Sequence, residues 1–191
     1  MKKLALILFL FIMVSSIYSL DFRRNNFGDS IQKIKQEEIS TGDYSEVVEE
    51  SYTRLIYYNV PIAEKYIANL VYHFEKNVFV YAYYVVHSVL IDSEPKTFDR
   101  GVYWMNAYND LCSKLNELYG PSLNLFTEIE QNQLKKVISG DEIVQDSWHL
   151  NNKNIRVFLD PSIEGVISSV KIHYSDVNYS LPPLTIENGG L

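Results

Sequence analysis

The sequence predicts an α+β fold: two tandem helix-plus-three-strand repeats that form one antiparallel sheet with helices on one face. Three observations carry this. Segments rich in tyrosine, valine and isoleucine, residues that fit a pleated surface, fall into two groups of three. A stretch with helical spacing precedes each group. Finally, Leu70-Val71-Tyr72-His73-Phe74-Glu75 lies over Val170-Lys171-Ile172-His173-Tyr174-Ser175, in the same alternating phase.

The first helix is expected over about residues 30–38. Asp29 or Ser30 supplies an N-cap oxygen for a free backbone N–H, Ile31 and Ile34 follow at helical spacing, and Thr41-Gly42-Asp43 ends the segment. Residues 44–51, with Glu46, Glu49 and Glu50, read as a loop. Strands are expected over 54–59, 65–75 and 78–89, with turns at Pro61 and Lys76-Asn77. After a polar linker at 92–97, residues 98–119 carry a helical stripe of Tyr108, Leu111, Cys112, Leu115, Leu118 and Tyr119. Gly120-Pro121 stops that helix. A short helix is expected over 128–138, then strands over 147–150, 154–160 and 165–174. Repeat one spans about 22–91 and repeat two about 97–177, within a single domain at 20–177. Residues 178–191 read as a flexible tail.

Strand alternation assigns the faces. Tyr66, Ala68, Leu70, Tyr72 and Phe74 share one side, matched by Val166, Ser168, Val170, Ile172 and Tyr174, and these should meet the helices. Asn69, His73 and Glu75, with Ser169, Lys171 and His173, then face away. Two helices cannot cover both faces of a six-stranded sheet, so one face should stay open.

The N-terminus reads as an export signal. Lys2 and Lys3 precede an apolar run over 4–14, followed by the small residues Ser15, Ser16 and Ser19. That run is too short for a membrane span, which needs roughly 20 residues. Residues 1–19 are therefore expected to be a signal peptide, leaving a periplasmic or secreted protein with no membrane span. Cys112, the single cysteine, is remote from the cleavage region, so lipid anchoring is not expected. It also has no intrachain disulfide partner, and its place among Leu111 and Leu115 suits a small buried apolar residue. The formal charge is −7, and loss of Lys2 and Lys3 with the leader makes it −9. Such a chain is repelled by nucleic acid and by anionic membranes.

Motifs for zinc hydrolysis, serine hydrolysis, phosphate loops, dinucleotide binding and paired-cysteine redox chemistry are absent from the sequence. The four histidines, His73, His87, His149 and His173, have no local metal-ligand spacing. No catalytic residue, metal or cofactor is expected. Tyrosine is the positive signal, with fifteen in the chain. It offers a large contact area with a polar tip. A two-residue turn at Lys76-Asn77 pairs Glu75 with Val78 and turns Tyr84 outward with His73. A three-residue turn instead turns Tyr81 and Tyr83 outward. The candidate binding face is thus His73, Tyr81, Tyr83, Tyr84, Lys171 and His173.

The opening Phe22-x4-Phe27-Gly28-x-Ser30-x3-Ile34, Tyr119-Gly120-Pro121, and Trp148 before a strand hairpin resemble small exported bacterial proteins. The tandem plan is similar to the small protein A/OmlA assembly lipoproteins and to the β-lactamase inhibitor protein. This chain departs from the former in lacking a lipidation cysteine, and from the latter in lacking intrachain disulfides. The resemblance implies a non-enzymatic binding role. The expected function is to bind an envelope or extracellular protein or peptide on the open face. The alternatives are a carrier of a small apolar ligand in a pocket between helices and sheet, and a hydrolase of uncharacterised type. A closed aromatic cavity would favour the carrier, and a filled core with outward tyrosines the binder.

Overall fold

The computed structural model describes residues 23–89, 100–124, 131–139, 142–161 and 167–179. The expected signal peptide lies outside them, as does the tail beyond Tyr179.

The chain is α+β. Helix α1 (Ile31–Glu37) is followed by strands β1 (Tyr44–Val48), β2 (Tyr52–Ile62), β3 (Tyr66–Glu75) and β4 (Val78–Val89). Then come α2 (Arg100–Tyr119), α3 (Gln131–Ser139), β5 (Gln145–His149), β6 (Lys153–Pro161) and β7 (Ile167–Asp176). All seven strands form one antiparallel sheet in the order β1-β2-β3-β4-β7-β6-β5.

Local chemistry explains most boundaries. Ser30 caps α1 by accepting from the Lys33 N–H. Gly120, at φ 83°, ends α2 where a side chain would strain the backbone, and its N–H returns to the Asn116 carbonyl. The tight β3–β4 turn places Lys76 and Asn77 both at positive φ, the geometry whose twist matches paired strands.

Alternation along β3 is as predicted: Tyr66, Ala68, Leu70, Tyr72 and Phe74 are all buried. They pack in one cluster with Ile31 and Ile34 of α1, Trp104, Tyr108, Leu111, Cys112 and Leu115 of α2, Leu134 and Val137 of α3, and Val170 and Ile172 of β7. Trp148 of β5 is 2% exposed, and its indole N–H donates to the Gly120 carbonyl (2.9 Å) and Asn116 Oδ1 (3.1 Å). That ties the end of α2 to the far edge of the sheet.

Four expectations need correction. Residues 44–48 form an edge strand, not a loop. The strand buries almost nothing and pairs only with β2, so it lacks the alternating apolar signal of an inner strand. The sheet accordingly has seven strands. Pro61 lies within β2 rather than at its end, beyond a register shift between Tyr57 and Val60. Leu118 is 72% exposed, so the packed stripe of α2 skips it, while Tyr119 packs half-buried against the core.

The two-repeat architecture is not confirmed. His73 lies on β3 and His173 on β7, flanking β4. Matching the halves strand for strand sets β7 against β4, not β3. The six-residue likeness therefore joins strands in different positions.

Candidate functional site

The sheet face opposite the cluster is assembled row by row from the register. Arg54, His73, Tyr81 and Ser175 lie side by side across β2, β3, β4 and β7. The next row is Ile56, Val71, Tyr83, His173 and Arg156. The third carries Asn69, Val85, Lys171 and Phe158. Five of the six expected site residues, His73, Tyr81, Tyr83, Lys171 and His173, thus share this face.

Tyr84 does not. It pairs with Leu70 and Ile172 in the core, and its hydroxyl accepts from Arg23 Nη1 at 3.2 Å. The reason is a β-bulge. The turn at Lys76-Asn77 has two residues, which alone would send Tyr84 outward. The register then shifts: Phe74 faces Phe79, but His73 faces Tyr81, leaving Val80 extra. One inserted residue moves every later side chain to the other face. Next to it, the Phe79 N–H donates to the Asp29 carbonyl and its carbonyl accepts from the Gly28 N–H. The N-terminal segment holds the bulged strand there, with Phe27 packed on Phe79 at 4.9 Å and Gly28 at φ 95°. Tyr81 and Tyr83 point outward through a contact that a reading of the hairpin alone does not contain.

On the face, rings stack across the strands. His73 lies on Tyr81 at 4.3 Å and 14°, and Tyr83 on His173 at 4.9 Å and 24°. Tyr52 adds to one end at 4.9 Å from His73, and Phe158 to the other at 5.1 Å from His173. Cations sit over both end rings: Arg54 over Tyr52 at 4.5 Å and Lys171 over Phe158 at 5.9 Å. Tyr179, assigned to the tail from sequence, packs on Tyr81 at 5.4 Å and donates its hydroxyl to Glu75 at 3.0 Å. Tyr52, Arg54, Arg156, Phe158, Ser175 and Tyr179 were not singled out by sequence. Alternation on β2 and β6 contains most of them, but only the strand order makes them neighbours.

The stacking shields the rings. His73 is 6% exposed. Burial, then the charge on Arg54, pulls its pKa down to about 4. Burial, then Lys171 and Arg156, takes His173 down to about 3. Burial, then Tyr83, pushes the Tyr81 hydroxyl up to about 12. At neutral pH both imidazoles and the Tyr81 phenol are uncharged, and the face's cations are its arginines and lysine. Lys171 pairs with Asp160 at 2.7 Å. On this face, among the described residues, three buried polar atoms have no hydrogen-bond partner: Arg54 Nε, His73 Nδ1 and Ser175 Oγ.

A second polar centre went unnoticed in the sequence. Glu38, which caps α1, is buried. It pairs with Arg23 at 3.0 Å and accepts from Asn25 Nδ2 at 3.1 Å and from the Tyr72 and Thr41 hydroxyls. Burial, then the Glu38 charge, raises Tyr72, so its phenol stays protonated and donates. The group locks the N-terminal segment to β3. Beside it, a concavity of about 290 Å3 is lined by Arg23, Arg24, Glu37, Glu38, Ser40 and Thr41. A shallow surface groove of about 310 Å3 runs along Phe27, Val78, Phe79, Val80 and Tyr179.

Burial raises the Cys112 thiol, so little nucleophilic thiolate forms at neutral pH. Among the described residues, no cluster of three or more His, Cys, Asp or Glu side chains suits a metal ion. No helix among them is long and apolar enough to cross a membrane. No protein-family model, curated protein or solved structure matches the chain.

Proposed function

We propose that this chain is an exported, non-enzymatic binding protein whose face of His73, Tyr81, Tyr83, Lys171 and His173 holds a protein or peptide partner. The reading takes all helices to lie on the opposite side. The observation that carries it is the pair of cross-strand stacks, His73–Tyr81 and Tyr83–His173, on a face that no helix residue of the core cluster reaches.

Physical chemistry supports the choice of partner. Rings already stacked lose little entropy when a partner lands on them. Each stacked ring also has at least one face occupied by a neighbour. That leaves fewer of the free ring faces on which sugars or bases stack, and gives ring edges and hydroxyls a larger part in any contact. Such edges suit the hydrogen-bonding and apolar groups of a polypeptide. Against the carrier, the core is filled by large side chains, including Trp148, Tyr57, Tyr66, Tyr72, Tyr108, Phe74 and Phe79.

The test is capture from an envelope fraction with the purified chain as bait. Lys171→Glu/His173→Glu combined with Tyr83→Ala is expected to abolish capture of partners held by the wild type, with circular dichroism confirming the fold. Undiminished capture by the folded variant would rule out this face.

A further inference from the structure

We propose that the partner presents an acidic segment, and that this segment docks along the row Arg54–His73–Tyr81–Ser175. The inference rests on the binding role assigned above and adds the partner's chemistry.

Charge is the first argument. The chain carries −7, yet the described strand residues of this face carry Arg54, Arg156 and Lys171 against only Glu75 and Asp160. Both acids are engaged, Glu75 by the Tyr179 hydroxyl and Asp160 by Lys171. Arg54 has no carboxylate within 4.0 Å among the described residues. A locally positive face on an acidic protein steers and orients an anionic partner.

The unpartnered atoms are the second argument. Arg54 Nε, His73 Nδ1 and Ser175 Oγ are buried without hydrogen bonds, and all three belong to one row. His73 is 6% exposed and Ser175 fully buried. Leaving such groups unsatisfied costs about 1–3 kcal/mol each, so a ligand that reaches them as the Tyr52 and Tyr179 rings packed on His73 and Tyr81 move aside is favoured. A guanidinium N–H and a hydroxyl donate, and a neutral imidazole donates from Nδ1 in the tautomer that carries its proton there. Carboxylates only accept. Four strands spaced roughly 4.8 Å apart make a row about 15 Å long, the reach of about five extended residues. A short acidic stretch laid across the strands matches both the length and the donors.

The experiment uses the purified full chain and three fluorescein-labelled ten-residue peptides: alternating Glu-Ser, Gln-Ser and Lys-Ser. Anisotropy is read at 50 and 300 mM salt, with polygalacturonate as a non-peptide polyanion. The acidic peptide should bind about tenfold more tightly than the other two, and weaken at the higher salt. Arg54→Gln/Arg156→Gln, with an unchanged circular dichroism spectrum, should weaken it by about tenfold. Failure of the acidic peptide to bind, binding unchanged in that variant, or preference for polygalacturonate overturns the inference. Binding of the neutral or basic peptide that is lost in Tyr81→Ala/Tyr83→Ala overturns it too, but leaves the face as a peptide-binding surface. Peptide binding untouched by either double substitution overturns both.

Discussion

Glu38→Ala is expected to destabilise the protein by about 3 kcal/mol, lowering the melting temperature by about 10 °C for a chain of this size. Glu38 is the common partner of Arg23, Asn25, Tyr72 and Thr41, while Asn25 Nδ2 also donates to the Tyr72 hydroxyl and Arg23 to the Tyr84 and Thr41 hydroxyls. Removing it takes away the acceptor of the Tyr72 and Thr41 hydroxyls and of one Asn25 N–H, and Arg23 loses its counter-ion. The Arg23 side chain is 31% exposed, so water recovers part of its solvation; this places the loss at the low end for a broken buried pair. Thr41→Ala removes one bond to the same carboxylate and should cost about 1 kcal/mol. Thermal melts followed by circular dichroism decide this. A Glu38→Ala variant that melts within 2 °C of wild type would show that the cluster does not hold the N-terminal segment in place.

Glu38 also shows where sequence reasoning stops. In Lys35-Gln36-Glu37-Glu38 it is indistinguishable from its exposed neighbour Glu37. The partners that bury it lie 13 and 34 residues away in the chain, at Asn25 and Tyr72. By contrast, the buried side of β3 was legible, because alternate residues of a strand share a face and Tyr66, Ala68, Leu70, Tyr72 and Phe74 are all buried on one, although Val71 and His73 on the other face are buried as well. The same parity placed His73, Lys171 and His173 on one face. It did not show that β4 lies between β3 and β7, which is what brings the rings into contact. Nor did it show the direction of the tyrosines. The sequence allows a turn of two or three residues; the turn has two, but the bulge at Val80 reverses its consequence. Edge strand β1 was invisible for the opposite reason: it has no buried side to pattern.

Acid should destabilise the folded chain between pH 6.5 and 4, and two histidines should account for much of the slope. In the unfolded chain each titrates near 6.5. In the fold His73 titrates at about 4 and His173 at about 3. The unfolded state therefore binds more protons over this window, and stability falls as pH falls. The contribution is fully present above pH 6.5 and lost as pH drops through the folded values. For His73 the full loss is up to about 3 kcal/mol. The groups facing it are Arg54 and the rings of Tyr52 and Tyr81, with Glu75 on its own strand as the one opposing charge. His173 is set among Lys171, Arg156, Tyr83 and Phe158. Protonation would thus place a cation next to existing cations in both places. His73→Phe/His173→Phe keeps two flat rings and removes both titrations. Urea midpoints measured from pH 7.5 to 4.5 should fall for the wild type and change little for the double variant. Parallel slopes for the two proteins would mean that the histidines are not what acid attacks.

The central claim is that a partner lands on the face of stacked rings, and photo-cross-linking reads that contact directly. A benzophenone amino acid is placed at position 83 or 171 on the face, or at 118 on helix α2, where Leu118 is 72% exposed. Irradiation in an envelope extract should yield adducts from positions 83 and 171 and none from 118. Adducts from 118 with none from 83 or 171 would contradict the account.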